Sequence, residues 1–157
     1  SAKLADLPAV AAALDALPGD AGLLVKDLDN QAAPAAALAA DRPLAIGSAF
    51  KLVILAELAR QIEAGERRWD DKVTLDGREI AGGLFAARPK GTVVTIRELA
   101  EPMIRVSDNS ATDILLRLAG REKVEAMQAR LGIAKPEANR PFLDTLEAFK
   151  LKGVDGG

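Results

Sequence analysis

The chain contains neither cysteine nor histidine among its 157 residues. Without cysteine it has no thiol nucleophile, and without either residue type it lacks the ligands of the usual cysteine and histidine zinc sites. Without histidine it cannot form a Ser-His-Asp triad. Carboxylates, lysine, arginine and hydroxyls remain available for catalysis, so a serine nucleophile in this chain needs a lysine as its base.

Long apolar runs and an excess of one charge are also missing. The longest apolar runs, such as Leu52–Leu55, are far shorter than the about 20 residues that a membrane-spanning helix needs. The 21 basic and 23 acidic residues are interspersed, leave a formal net charge of -2 and form no basic stripe that would neutralise phosphates. We therefore expect no membrane span, no nucleic-acid partner and no cofactor.

The chain does contain enough apolar material for a core, since 49% of its residues are hydrophobic. Apolar residues recur at steps of three and four, which predicts a helix-rich fold. Thr95 and Glu98 have the spacing of a capping box, and Pro102 should kink or shorten the helix that follows. The predicted helices run from Leu4 to Leu17, from Ser48 to Ala64, from Thr95, from Ser110 to Gly120, from Arg121 to Leu131, and from Asp144 to Lys152.

Strand signals are fewer. Leu23–Leu28 reads as the only long strand, and we expect it to lack a partner within this chain. The stretch Gln31–Arg42 is rich in alanine and proline and fits either a loop or a weak second strand. Val73–Leu75 and Val93–Val94 are short enough to pair as a small ribbon, and Gly82–Phe85 reads as a surface loop between them.

Ser48 and Lys51 are the first residues that suggest chemistry. They lie three positions apart at the start of the most apolar predicted helix, so both side chains project from one face. Burial and the positive end of the helix both disfavour a charged lysine, which would let Lys51 accept the Ser48 proton. The Ser48 N–H would face a developing oxyanion. The alternative is that Ser48 caps the helix and Lys51 is a solvated residue of its first turn.

Ser107-Asp108-Asn109 is the second candidate. Three short polar residues between two helices are ordinarily a turn whose side chains bond the local backbone. Apolar residues before and after the tripeptide instead favour a position against the core. Ser-x-x-Lys followed by Ser-Asp-Asn is the pairing found in class A β-lactamases and penicillin-binding proteins.

The chain resembles the class A serine β-lactamase family in more than these two motifs, because further segments match in order and at similar spacing. The resemblance covers about Ala21 to Gly132 and is carried by Ile46–Leu52, Asp71–Leu75, Gly91–Leu99 and Ile104–Thr112. It implies a mixed α/β (α+β) fold, with residues 1–45 contributing the first helix and strand or strands of a sheet domain. Residues 46–157 would form a helical domain that carries both motifs.

The resemblance also implies a role for each motif residue. Ser48 matches the nucleophile that becomes acylated, and Lys51 the amine that helps to activate it. Ser107 matches the hydroxyl that passes a proton to the leaving nitrogen. Asn109 matches the amide that contacts the lysine and the substrate, while Asp108 matches a residue that holds its loop by accepting backbone hydrogen bonds.

Three features depart from the family pattern. The loop that carries the family's deacylating Glu is shortened, and Glu137 and Glu147 are the glutamates that remain as substitutes. The family's Lys-Thr-Gly strand is absent, since Lys90-Gly91-Thr92 has a different order and precedes the Ser-Asp-Asn motif. The chain also ends at Gly157, where the family continues, so we expect an N-terminal portion that is not a competent enzyme by itself.

The function that the resemblance implies is hydrolysis of a β-lactam amide through an acyl-enzyme on Ser48. The alternatives are a D-Ala-D-Ala peptidase or an esterase of the same superfamily, and, from another class, a catalytically inactive binding module. The expected partners are a small-molecule substrate, namely a β-lactam or an acyl-D-Ala-type peptide, and either a complementary C-terminal fragment or a second copy of the chain. Family members are exported, so the implied location is periplasmic or secreted.

Overall fold

The computed structural model describes residues 7–29, 36–42, 47–77 and 82–133. Within these ranges α-helices combine with two small antiparallel sheets, the mixed α+β class that the sequence predicts. Contacts divide the chain into two units, Ser1–Ile46 and Gly47–Gly157. The elements are α1 Leu7–Asp15, β1 Leu23–Val25, β2 Ala36–Leu38, α2 Lys51–Glu63, β3 Lys72–Thr74, β4 Val93–Thr95, α3 Ile96–Arg105, α4 Asn109–Ala119 and α5 Arg121–Arg130.

The first unit contains α1 and a two-stranded sheet. Strand β1 pairs antiparallel with β2, with Leu23 opposite Leu38 and Val25 opposite Ala36. The expectation that this strand lacks a partner within the chain is therefore wrong, and the Gln31–Arg42 stretch supplies the second strand. The strand is also shorter than predicted, because pairing ends at Val25.

The second unit is built around α2, which packs against α3, α4 and α5. Ile54 and Leu58 of α2 are completely buried, as are Leu99, Met103 and Leu115 on the helices that surround it. Burying a side chain of this size contributes roughly 1.5–3 kcal/mol to folding. The most apolar helix that the sequence predicts thus forms the buried centre of the second unit.

The ribbon and the capping box are both confirmed. Strands β3 and β4 pair antiparallel, with Val73 opposite Val94. The Thr95 side chain accepts from the Glu98 N–H, and the Glu98 carboxylate accepts from the Thr95 N–H, so two free donors at the start of α3 are satisfied. Helix α3 continues past Pro102 and ends at Arg105.

Three local predictions need correction. The chain forms a 3₁₀ turn over Gly47–Phe50, so the α-helix begins at Lys51 and not at Ser48. Helix α4 begins at Asn109, one residue before the predicted start. The loop at Gly82–Phe85 is only partly a surface loop, because the Phe85 ring is buried in the core.

The predicted helix Asp144–Lys152 lies outside the described residues. None of the helices within the described ranges is long and apolar enough to cross a membrane.

Candidate active site

Lys51 is the first residue of α2, and only 2% of its surface is exposed. Its Nζ donates three hydrogen bonds, to the Ser107 carbonyl oxygen, Ser107 Oγ and Asn109 Oδ1, each 2.8 Å long. A lysine ammonium has three donors, so these acceptors use all of them. The buried charge of Lys51 is therefore satisfied entirely by two residues more than 50 positions away in sequence.

Ser48 lies in the 3₁₀ turn that precedes α2, and it is exposed. Its Oγ is 3.0 Å from Ser107 Oγ, the two hydroxyls forming a hydrogen bond. Phe50 is the N-cap residue of α2, and no side chain caps the helix. The alternative in which Ser48 caps the helix and Lys51 is solvated is therefore wrong.

Ser107 connects Ser48 to Lys51. It lies between α3 and α4, where the Val106 and Asp108 N–H groups both donate to the Pro102 carbonyl at 3.1 Å. Its φ of 58° is in the left-handed region, which non-glycine residues seldom occupy and which costs of order 1–3 kcal/mol. Such strain is concentrated at functional sites, and here it accompanies a hydroxyl that bonds both Lys51 and Ser48.

Asp108 and Asn109 follow Ser107 and complete the site. Asp108 is buried and is the N-cap residue of α4, where its carboxylate accepts from the Ala111 N–H at 2.8 Å. The other carboxylate oxygen accepts from the Leu84 N–H. Asn109 is partly exposed, and its Oδ1 accepts from Lys51. The two residues thus lie next to Ser107, one bonded to backbone groups and one to the lysine.

The electrostatics of the site lower the pKa of Lys51. Burial lowers the pKa of Lys51 from its ordinary value of 10.5, while the nearby carboxylates of Asp108 and Asp113 oppose that shift. The positive end of the α2 dipole acts in the same direction as burial, because Lys51 occupies the first helical position. A neutral amine accepts a proton, so the same residue can serve as a base.

The structure adds contacts that the motifs alone do not reveal. The backbone of Gly82 and Leu84 bonds the start of α4, and the Asp113 charge acts on Lys51. A pair of glycines before Leu84 was the available sequence signal, since paired glycines indicate an unusual backbone. Glu137 and Glu147 lie outside the described residues. No group of acidic residues that could hold a metal ion occurs within the described ranges.

A groove of about 520 Å³ adjoins the segments on either side of the site. Val106, which precedes Ser107 in sequence, and Leu84, whose N–H bonds Asp108, both line it. Its lining includes Leu84, Phe85, Arg88, Val93, Pro102 and Val106.

The Beta-lactamase enzyme family model matches residues 6–155, which is nearly the whole chain. The chain belongs to the β-lactamase enzyme family. No curated protein matches the sequence.

Solved structures agree with family membership. A β-lactamase from Sphaerobacter thermophilus is 25% identical, with a TM-score of 0.76 over 89% of this chain and 53% of that chain. A β-lactamase from Chitinophaga pinensis is 21% identical, with a TM-score of 0.79 over 94% and 56%. The protein PBP-A is 22% identical, with a TM-score of 0.73 over 94% and 61%. The chain thus shares the β-lactamase fold and spans between about half and three fifths of these chains.

Proposed function

We propose that the protein is a serine hydrolase of the β-lactamase type, which opens a β-lactam amide by forming an acyl-enzyme on Ser48. The observation that carries the proposal is the continuous chain of polar atoms from Lys51 Nζ through Ser107 Oγ to Ser48 Oγ, with separations of 2.8 and 3.0 Å. An exposed hydroxyl connected in this way to a buried amine is the arrangement that activates a serine nucleophile.

The proposed acylation proceeds by proton transfer along that chain. Ser107 accepts the Ser48 proton and passes its own proton to neutral Lys51, while Ser48 Oγ bonds the amide carbonyl carbon. When the tetrahedral intermediate collapses, the bond from that carbon to nitrogen breaks. The nitrogen takes a proton from Ser107, and Lys51 returns a proton to Ser107. The products are an ester on Ser48 and a free amine within the opened substrate.

The other site residues orient these groups. Asn109 holds Lys51 through Oδ1, which leaves its amide nitrogen to donate to a substrate carbonyl. Asp108 fixes the backbone between Ser107 and Asn109, and the Ser48 N–H binds the developing oxyanion. A small-molecule acyl compound is the substrate class, and family membership supports export to the periplasm or beyond.

Intact mass spectrometry after incubation with a penicillin tests the proposal. Because we expect this chain not to be competent by itself, the incubation includes the complementary C-terminal fragment. Under these conditions we expect an adduct on the unmodified chain and none on Ser48→Ala. Ser110→Ala is the matched control, because Ser110 is buried one residue beyond Asn109 and makes no side-chain hydrogen bond among the described residues. It should keep the adduct. An unmodified chain that forms no adduct would favour the inactive binding module and overturn the proposal.

The lifetime of the adduct separates hydrolysis from trapping. A transient adduct indicates a β-lactamase, whereas a lasting adduct indicates a peptidase of the penicillin-binding type. We retain the peptidase as the second candidate function because the chain also shares its fold with PBP-A. We propose Glu137 as a base for deacylation only, so Glu137→Gln should leave adduct formation intact and lengthen the lifetime of the adduct. Loss of adduct formation in Glu137→Gln would contradict this assignment.

A further inference from the structure

The glycine loop at residues 82–84 holds the start of α4 at two points. The Leu84 N–H donates to the Asp108 carboxylate, and the Ser110 N–H donates to the Gly82 carbonyl at 3.0 Å. These bonds connect a loop to a helix start about 24 positions further along the chain. The loop therefore lies against the residues that immediately flank Asn109.

Gly83, between those two contacts, lies against the Asp108 carboxyl group. A Cβ added to Gly83 would overlap the Asp108 carboxyl carbon and both of its oxygens. Its φ of +106° is also in the range that favours glycine. The site thus requires glycine here for two reasons, of which one is the space that Asp108 occupies.

Asp108 in turn determines the placement of its neighbours. Its carboxylate is fixed between the Leu84 and Ala111 N–H groups, so it has little freedom to retreat. The residues on either side, Ser107 and Asn109, supply all three acceptors of Lys51. Displacing Asp108 would therefore displace Ser107 Oγ from both Lys51 and Ser48.

We propose that Gly83 is a positioning residue, whose missing side chain lets Asp108 hold Ser107 and Asn109 at bonding distance from Lys51. The expected change in acylation rate rests on the proposed function. The expected change in the environment of Lys51 rests on geometry alone. Gly83 touches no reacting atom and acts through the Asp108 carboxyl group.

Gly83→Ala tests the proposal, with Gly91→Ala as its matched control. Gly91 has a similar φ of +87°, but an added Cβ there meets nothing within 4 Å. Both variants carry the backbone strain of a positive φ, and only Gly83→Ala adds the overlap with Asp108. We expect the acylation rate of Gly83→Ala with a fluorescent penicillin to fall about 100-fold, the loss that a misplacement of about 1 Å produces. Gly91→Ala should stay within about twofold.

A double variant tests whether the effect passes through Asp108. In Asp108→Ser the carboxyl is replaced by a shorter side chain that still caps a helix. We expect Gly83→Ala to cost much less acylation in this background than in the unmodified protein, since the overlap is gone. If Gly83→Ala alone does not fold, the double variant should fold. Equal losses in both backgrounds, or a double variant that also fails to fold, would overturn the proposal.

The titration of Lys51 gives a readout that does not depend on catalysis. We expect the side-chain NMR signal of Lys51, assigned by its loss in Lys51→Met, to titrate differently in Gly83→Ala and unchanged in Gly91→Ala. If the unmodified protein forms no acyl adduct, the proposed function fails while this titration still decides the role of Gly83. An unchanged Lys51 titration in Gly83→Ala would overturn the positioning role.

Discussion

Lys51 is suited to two protonation states. As an ammonium it donates to three oxygens. As a neutral amine it has a lone pair that can accept a proton. Because burial lowers the pKa of Lys51, the neutral form becomes populated below the ordinary value of 10.5. As pH rises through the lowered pKa, the acylation rate should increase, with a midpoint below pH 10.5. Stopped-flow acylation across pH measures this, and a rate independent of pH would contradict it.

Lys51→Arg is the control for this prediction. A guanidinium stays protonated at every pH that a folded protein tolerates, so the acylation rate of this variant should not rise with pH.

The lowered pKa of Lys51 also affects the stability of the protein. Between the lowered pKa and 10.5 the unfolded chain binds a proton at Lys51 that the folded chain does not, so the free energy of unfolding should rise with pH in this window.

Ser110 illustrates a buried group that works against stability. It is completely buried, and its Oγ finds no hydrogen-bond partner among the described residues. A buried unpaired hydroxyl costs about 1–3 kcal/mol, while alanine is also the better helix former. We expect Ser110→Ala to raise the free energy of unfolding by about 1 kcal/mol in urea. A loss of stability of that size would show that the hydroxyl is paired in solution.

Sequence patterns could predict which residues form the candidate site, but not the contacts that hold those residues in place. Ser48, Lys51, Ser107 and Asn109 stand in two short motifs, and the structure brings all four together. The contact of Leu84 with Asp108 could not be predicted, because it joins residues 24 positions apart through a backbone N–H that carries no sequence signal. Short spacings within a motif are visible in a sequence, whereas close approach of separate loops depends on tertiary packing.

At the scale of elements, a buried polar network joins α2 to the end of α4. The Gln61 amide is completely buried and donates to Glu57 Oε1 and to the Ala119 carbonyl, both at 2.8 Å. Its oxygen accepts from Arg67 at 2.7 Å. Burial alone would raise the pKa of Glu57, but hydrogen bonds from Arg60 and Gln61 outweigh burial and lower it. Every polar atom of Gln61 is thus used.

Gln61→Leu should therefore lower the free energy of unfolding, although the volume of the side chain hardly changes. It would leave the Ala119 carbonyl without the Gln61 donor and remove the Gln61 acceptor from Arg67, which is partly buried and still donates to the Leu118 carbonyl. An unpaired buried group costs about 1–3 kcal/mol. We expect a loss of about 2–4 kcal/mol in the free energy of unfolding, measured in urea. Gln128→Leu on α5 is the control, since Gln128 is also a helical glutamine but is not buried. Equal effects of the two variants would refute the role of the network.

Elements that are marked by a short local sequence pattern can be predicted more accurately than elements without such a pattern. The capping box at Thr95 is a four-residue pattern, and α3 begins as that pattern predicts. Strand β2 has no such pattern, because Ala36–Leu38 is short, and its pairing with β1 depends on register across the hairpin. The 3₁₀ turn before Lys51 also escapes prediction, since helix periodicity does not distinguish the two kinds of first turn.

At the scale of the whole molecule, the two units differ in burial. Among the described residues, every buried hydrophobic residue lies between Val53 and Met127, in the second unit. In the first unit, none of residues 8–29 and 36–42 is buried. Its sheet has two strands, so each strand has one edge without a partner among the described residues. Two-stranded sheets are marginally stable in water unless a further surface covers them.

We therefore expect the chain to associate through this sheet. Leu24 of β1 is 51% exposed beside the open edge, and such edges pair readily with another strand. Light scattering from micromolar to millimolar concentration should give a mass above that of one chain. Leu24→Lys should shift the mass toward the monomer, because a charge on an edge strand opposes pairing. Leu17→Lys is the control, since Leu17 is similarly exposed at 56% but lies outside the strands. A monomer at every concentration, or equal effects of the two lysines, would refute association through β1.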